Sequence, residues 1–288
     1  MPIENISDTA RWVAVYRAME TERPDAIFRD KYARKLAGAH GEAIVDAMHR
    51  GRAAAWAMIV RTAVFDDIIM TMITEHGADM VVNLAAGLDT RPWRLSLPPT
   101  LRWVDVDLPA ILKYKTDSLT HEWPRCRYEA VPADLTNDAT RHTLLTRLGV
   151  EGKKILVVTE GLLIYLTATQ VAELAQDLAR QPSMRWWLTD IANPRLLKWM
   201  KRTWGKTVEK GNAPFLFAPE EGAGFFRQFG WKELAFRSTM VEAHRLNREM
   251  RGAWLWRLLS RFMPAKRKSE MQRMSGILLL ERGDGTDA

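Results

Sequence analysis

MVVNLAAGLDTRPWRL, residues 80–95, runs from a strand through a tight turn into the start of a helix. A short apolar run, Met80–Leu84, gives way to the small residues Ala85, Ala86 and Gly87, then to Asp89 and Thr90, then to a helical-looking segment. That order occurs where an α/β sheet binds a nucleotide-like ligand at the carboxyl end of its first strand. Roughly 20 residues further on, at the distance where such sheets place a ribose-binding acid, a second strand at Leu101–Asp105 leads to Asp105 and Asp107. The chemistry of the turn argues against a dinucleotide. A phosphate-binding turn wants glycines for close backbone approach and a helix N-terminus free of negative charge. Here Gly87 alone remains and Asp89 would repel a pyrophosphate. A cofactor with ribose and adenine but no phosphate fits better, which points to S-adenosylmethionine (SAM), with S-adenosylhomocysteine as its product.

Five stretches, taken in order, resemble the leucine carboxyl methyltransferase family, which includes polyketide O-methyltransferases of the tetracenomycin type. They are TERPDAIFRDKYA (21–33), RTAVFDDII (61–69), VVNLAAGLDTRPWRL (81–95), WVDVDLPAILKYK (103–115) and TEGLLIYLT (159–167), with a further ADL at 133–135. The ordered set spans about the first two thirds of the chain. The resemblance implies an α/β, Rossmann-like class I methyltransferase sheet, mostly parallel with an antiparallel edge strand, accompanied by N-terminal helices and a helical insertion or lid. One departure stands out: the family often has Gly-Ala-Gly where this chain has Ala85-Ala86-Gly87. Alanine is small enough to leave room for the cofactor but gives up the backbone freedom of glycine.

Composition agrees with one α/β domain. A chain of 288 residues, 47% of them hydrophobic, can bury one large core. Its 27% charged residues and scattered aromatics exclude wholesale disorder. Cys126, the only cysteine, can form no internal disulfide, which suits a reducing cytoplasm. The N-terminal MPIENISDTARW lacks the basic-then-apolar pattern of a secretory signal, and no apolar run approaches the ~18 residues of a membrane span. The expected location is therefore cytoplasmic. A net charge of +7 favours acidic partners without choosing among a carboxylate substrate, a nucleic acid and an anionic membrane.

Along the chain, residues 1–78 read as an N-terminal helical cap, with apolar positions at helical spacing between 8 and 75. Residues 79–192 read as the SAM-binding core, with strands near 80–84, 101–105, 127–131, 154–159 and 185–191 and helices near 89–95, 108–119, 138–148 and 168–180. Residues 193–230, punctuated by Pro194, Gly205, Gly211, Pro214 and Pro219, suggest an insertion of short helices over the sheet. Residues 231–283 supply an antiparallel edge pair, WKELAFRS (231–238) and SGILLLERG (275–283), around an inserted basic helix, and the DGTDA tail is expected to be disordered.

The candidate site residues each compete with an ordinary role. Ala85, Ala86 and Gly87 either cradle the cofactor or form a plain strand-to-helix turn. Asp107, followed by Leu108, is the expected ribose ligand because a carboxylate accepts both bonds of a vicinal diol. The family's VDxP acid, which Asp107 matches, has that role; Asp105 competes for it, and either acid could instead cap the helix starting at Pro109. Arg61 is the expected partner of the SAM carboxylate, as the family's RT arginine implies, against a helical salt bridge to Asp66 or Asp67. Asp134 could accept the adenine amino group while Leu135 covers the ring, or Asp134 could simply serve the turn before Thr136. Glu160, at the carboxyl end of a buried strand, could face the sulfonium or pair with Arg94 or Lys113; Tyr165 could join it in catalysis or pack in the core. No metal spacing is present among Cys126 and the six histidines, so no metal is expected. The segment 251–270 mixes Trp254, Trp256, Leu258, Leu259 and Phe262 with Arg251, Arg257, Arg261, Lys266, Arg267 and Lys268, a blend that suits either an anionic membrane surface or an apolar face packed on the domain.

The expected activity is SAM-dependent O-methyl transfer to a carboxylate of a small-molecule or polyketide-like acceptor, anionic and partly apolar. The alternatives are methylation of a phenol or alcohol, assisted by Glu160 or His244 as base, and a non-catalytic SAM-binding or anionic-surface-binding protein. A nucleic-acid partner is not expected. The acceptor is expected to sit between the N-terminal helices and the 193–251 region, whose Trp199, Trp204, Phe215, Phe217, Phe225 and Phe226 lie beside Arg195, Lys198, Lys201 and Arg202.

Overall fold

In the computed structural model, which describes residues 8–49, 51–209, 213–250, 252–260 and 263–283, every side chain of strand β1 (Met80–Leu84) is buried. The cause is a sheet covered on both faces, so that the twofold alternation of the strand sends each successive residue into a different core. Met80, Val82 and Leu84 enter one hydrophobic cluster, while Val81 enters another. Strands β2 (Arg102–Asp107), β3 (Arg127–Pro132), β4 (Ile155–Thr159) and β5 (Met184–Ala192) run parallel to β1. Strands β6 (Trp231–Ser238) and β7 (Ser275–Arg282) complete a seven-stranded sheet of order β3-β2-β1-β4-β5-β7-β6. β7 is antiparallel to both its neighbours and forms with β6 the expected antiparallel pair at that end of the sheet, β6 being outermost.

The helices follow local signals. Proline opens α5 (Pro109–Ser118) at its first turn, where a missing N–H costs nothing. Asn137 caps α6 (Asp138–Glu151) by accepting from the Thr140 N–H, and Thr167 with Gln170 forms a reciprocal capping box on α7 (Ala168–Ala179). The N-terminal region forms α1 (Asp8–Thr21), α2 (Ala33–Ala47) and α3 (Ala55–Thr74). α3 packs on one face of the sheet through Val64, Phe65 and Ile69. α1 and α2 form a separate cluster with Trp93 of the short helix α4 (Arg91–Arg94).

The region after β5 differs from the expected run of short helices. It opens with a single 16-residue helix, α8 (Pro194–Glu209), which carries Gly205 within it; a mid-helix glycine costs about 1 kcal/mol but does not end a helix. A 3-10 turn at Gly222–Phe229 then plugs into the core rather than lying over the sheet: Phe226 is fully buried, its ring 5.2 Å from that of Trp187. Three further helices, α9 (Thr239–Arg245), α10 (Ala253–Ser260) and α11 (Ala265–Gln272), occupy the β6–β7 connection. Arg251, Arg261 and Phe262, and the 284–288 tail, fall outside the described residues. No helix among the described residues is long and apolar enough to cross a membrane.

Candidate active site

A cavity of about 2170 Å³ opens at the carboxyl ends of β1, β2, β4 and β5, roofed by α1, α3 and α8. Ligands of open α/β sheets sit at that end of the strands. Every residue expected at the cofactor or catalytic site lines it: Arg61, Ala85, Ala86, Gly87, Asp89, Asp107, Leu108, Asp134, Leu135 and Glu160 for the cofactor, and Glu160 with Tyr165 for catalysis.

The turn after β1 holds its shape through backbone geometry. Gly87 has φ +51°, and a Cβ placed there would stand 3.0 Å from Ala10 Cβ. Ala85 also adopts a positive φ, +55°, so it occupies a conformation its Cβ disfavours. Asp107 clamps this turn: the Gly87 N–H donates to its Oδ2 at 2.6 Å and the Leu108 N–H donates to its Oδ1 at 2.7 Å. Burial pushes the Asp107 carboxyl above its usual range, an effect the two N–H groups only partly offset. Asp105 is a structural residue instead. It is fully buried and accepts from Asn83, from the Trp103 indole and, at 2.7 Å, from Lys115.

Asp89 does not present the free charge that would repel a phosphate. Its Oδ1 accepts from the Arg91 backbone and its Oδ2 from Asn83 and the Arg91 guanidinium. Burial would raise its pKa, but Arg91 and Arg94 outweigh that and hold it at about 2.

Neither helical salt bridge considered for Arg61 forms. Asp66 is taken by Arg91 and, through two bonds of 2.6 and 2.7 Å, by Arg94, while Asp67 pairs with Arg237. Arg61 reaches across the cavity floor to Glu160 Oε1 at 3.0 Å and Asp190 Oδ2 at 3.2 Å. Glu160 pairs with neither Arg94 nor Lys113; its second oxygen lies 2.8 Å from Arg91. Burial works against its ionisation, yet Arg91 and Arg61 hold its carboxyl below the ordinary range. Tyr165 packs its ring 5.7 Å from that of Phe215, hydrogen-bonds Thr9, and has its phenol pushed by burial up to about 12. Asp134 is exposed and closes its own turn, accepting from the Thr136 N–H and hydroxyl through Oδ1.

Residue-by-residue reading of the sequence missed three members of this cluster. Arg91 meets three carboxylates, those of Asp66, Asp89 and Glu160. Asp190, near the carboxyl end of β5, accepts from both Arg61 and the Gly161 N–H. Asn83 ties Asp89 to Asp105. The position of Asp190 at a strand end was the one signal that could have found it. The aromatics divide: Trp199, Trp204, Phe215 and Phe217 line the cavity, whereas Phe225 and Phe226 pack in the core around Trp187. Arg195, Lys198, Lys201 and Arg202 face outward from α8 and are absent from the lining. Among the described residues no cluster of His, Cys, Asp or Glu is arranged to hold a metal ion.

The sheet order and the carboxyl-end cavity define a Rossmann-like class I methyltransferase fold. The chain belongs to the leucine carboxyl methyltransferase family, which residues 10–179 match. It is 36% identical over 185 residues to a Parafrankia protein named "Putative S-adenosyl-L-methionine-dependent methyltransferase", a match covering 61% of this chain and 59% of that protein. A Streptomyces avermitilis protein of the same name is 30% identical over 78% of this chain and 82% of its own length. The crystal structure of a duf574 family protein from Streptomyces avermitilis superposes with a TM-score of 0.60 at 13% identity, covering 95% of this chain and 97% of that one. The chain thus spans about three fifths of the length of the Parafrankia relative.

Proposed function

We propose that the protein binds SAM in this cavity and transfers its methyl group to a carboxylate of a small, partly apolar acceptor. The observation that carries the cofactor reading is the Asp107 clamp: a carboxylate at the cavity wall, fixed by two backbone N–H groups, with lone pairs left for a vicinal diol. Two more features fit the same ligand. The NH2 nitrogen of Arg61 makes no hydrogen bond among the described residues, which leaves donors for an amino-acid carboxylate. The buried hydroxyl of Thr62, also in the cavity wall, has no hydrogen-bond partner among the described residues. Leu108 and Leu135 then flank the adenine.

When bound, SAM supplies a methyl group already activated by its sulfonium. The protein has to hold an oxygen in line with that methyl and exclude water. Glu160 contributes negative charge at the floor. It is a weak base, because Arg91 and Arg61 keep it ionised. Tyr165 keeps its proton at neutral pH, and the His244 side chain is 62% exposed at the cavity rim. With Glu160 a weak base, Tyr165 holding its proton and His244 turned largely to solvent, an acceptor that is already anionic is favoured over a phenol or alcohol. The cavity exceeds the roughly 300–1,000 Å³ of a usual small-ligand pocket, which leaves space for the acceptor beside the cofactor.

Calorimetry with S-adenosylhomocysteine and with NAD tests the cofactor. Binding of NAD alone would end this reading. Radiolabelled methyl transfer tests the acceptor: label released as methanol by mild alkali marks an ester, alkali-stable label marks an ether or N-methyl product, and no transfer to any acceptor supports a binding protein.

A further inference from the structure

Exposed apolar side chains and unpaired cations meet at the mouth of this cavity. Trp254, Leu255 and Leu258 of α10 are 63%, 48% and 47% exposed, and Trp199 of α8 is 52% exposed. Trp199 and Ala253 also line the cavity, so apolar surface continues from its interior to the outside. Beside it, Lys198, Lys201 and Arg202 on α8 and Lys266, Arg267 and Lys268 on α11 are exposed, and none forms an ion pair among the described residues. Some exposed arginines elsewhere are neutralised, Arg34 by Glu22, Arg52 by Glu42 and Asp46 and Arg147 by Glu129, while Arg29, Arg125, Arg127, Arg185 and Arg227 stand singly without an ion pair among the described residues. Six exposed cations without an ion pair among the described residues thus lie on α8 and α11, two helices that also line the cavity. Each helix carries one acid, Glu209 at the end of α8 and Glu270 on α11.

Large exposed apolar surface on a folded domain marks an interaction site. Helices that combine aromatic and aliphatic side chains with lysine and arginine lie in the headgroup region of anionic membranes, where each cation adds to the attraction. A nucleic acid would use the cations and the tryptophans but offers nothing to Leu255 and Leu258. We propose that α10, α11 and the outward face of α8 seat the protein on an anionic lipid bilayer with the cavity mouth against the lipid, so that the acceptor is an amphiphile drawn from the bilayer. The docking stands on the surface alone; the acceptor clause rests on the methyl-transfer reading above.

Co-sedimentation of the full chain with vesicles tests the docking. Vesicles of phosphatidylcholine containing roughly one third phosphatidylglycerol should bind at least about tenfold more protein than phosphatidylcholine alone, and added salt should reverse this. The double variant Lys266→Glu/Arg267→Glu should lose about tenfold in binding to the anionic vesicles. Trp254→Ser/Leu258→Ser should lose a similar factor, with circular dichroism and S-adenosylhomocysteine affinity unchanged in both. Equal binding to neutral and anionic vesicles, indifference to both variants, or tighter binding to a short DNA duplex or a polyglutamate peptide than to vesicles would overturn the docking. Vesicle binding as expected without S-adenosylhomocysteine binding would leave the docking standing and remove the methyl-transfer reading instead.

Discussion

The Gly87 N–H donates to Asp107 Oδ2 at 2.6 Å, and this bond fastens the end of β2 to the turn after β1. The carboxylate is therefore preorganised before any ligand arrives, its second oxygen held by Leu108. Asp107→Ala should remove two charge-assisted bonds to a ribose, each worth roughly 1.5–3 kcal/mol, and weaken SAM at least about tenfold. Calorimetry with S-adenosylhomocysteine measures this. An unchanged affinity would move the ribose elsewhere.

Arg61 separates two ligand classes. Arg61→Ala should weaken S-adenosylhomocysteine by about tenfold or more while leaving adenosine within about twofold, because adenosine has no carboxylate to lose. The variant also strands Glu160 and Asp190 without their shared cation. A thermal melt run beside the titrations shows whether the floor has collapsed, in which case both ligands lose affinity equally and Arg61 is structural.

Ala85 stands where a Gly-Ala-Gly turn would place its first glycine, at φ +55°. Strain of this kind costs about 1 kcal/mol or more, whereas the extra freedom of an unfolded glycine costs about 0.4–1 kcal/mol. Ala85→Gly should therefore leave the melting temperature equal or slightly higher, with cofactor affinity intact. Ala85→Val, β-branched at the same φ, should destabilise the fold by about 1–3 kcal/mol in urea unfolding.

The order of elements was legible because strand and helix periods alternate, from the apolar run Met80–Leu84 to the helical run that opens at Ala168. The choice between Asp105 and Asp107 was not. The two lie two residues apart on one strand and so share a face; only depth separates them, with Asp105 buried on Lys115 and Asp107 at the strand end. The partners of Arg61 were equally hidden. Glu160 and Asp190 lie 99 and 129 residues away, and no local pattern couples such positions. The 3-10 turn at Gly222–Phe229 was misjudged because exposed and buried aromatics look alike until Trp187 and Trp231 are seen beneath them.

Asp89 gives the fold a defined acid response. Its folded pKa of about 2 lies below the ordinary value of 3.8, so it stabilises the folded state fully above the unfolded value and loses that contribution as pH falls through the folded one. The gap amounts to about 2 kcal/mol, lost between about pH 4 and pH 2. Urea midpoints of the native chain should fall over that window, and Asp89→Asn should be less stable at neutral pH yet show a flatter fall. A parallel fall in both would place the acid sensitivity on other carboxylates.

The acceptor side of the cavity makes the last prediction. Trp199 and Met200 of α8 line the cavity, and the Trp199 ring lies 5.1 Å from that of Trp204, which is itself anchored through its indole N–H to the His49 carbonyl. Trp199 is half exposed and Met200 packs only partly buried against the α1–α2 cluster, so cutting the pair back removes less packing than cutting the 3-10 turn, whose Phe226 is fully buried. None of the residues placed at the cofactor lies on α8. Trp199→Ala/Met200→Ala should leave S-adenosylhomocysteine affinity within about twofold, while kcat/KM for methyl transfer to apolar carboxylic acids falls at least about tenfold from the lost apolar contact. Transfer assayed across acids of increasing chain length should show the deficit growing with the apolar part, because the removed surface contacts that part and not the carboxylate. A loss of S-adenosylhomocysteine binding in this variant would put α8 in the cofactor site and refute the division between a sheet that holds the cofactor and a helical roof that holds the acceptor.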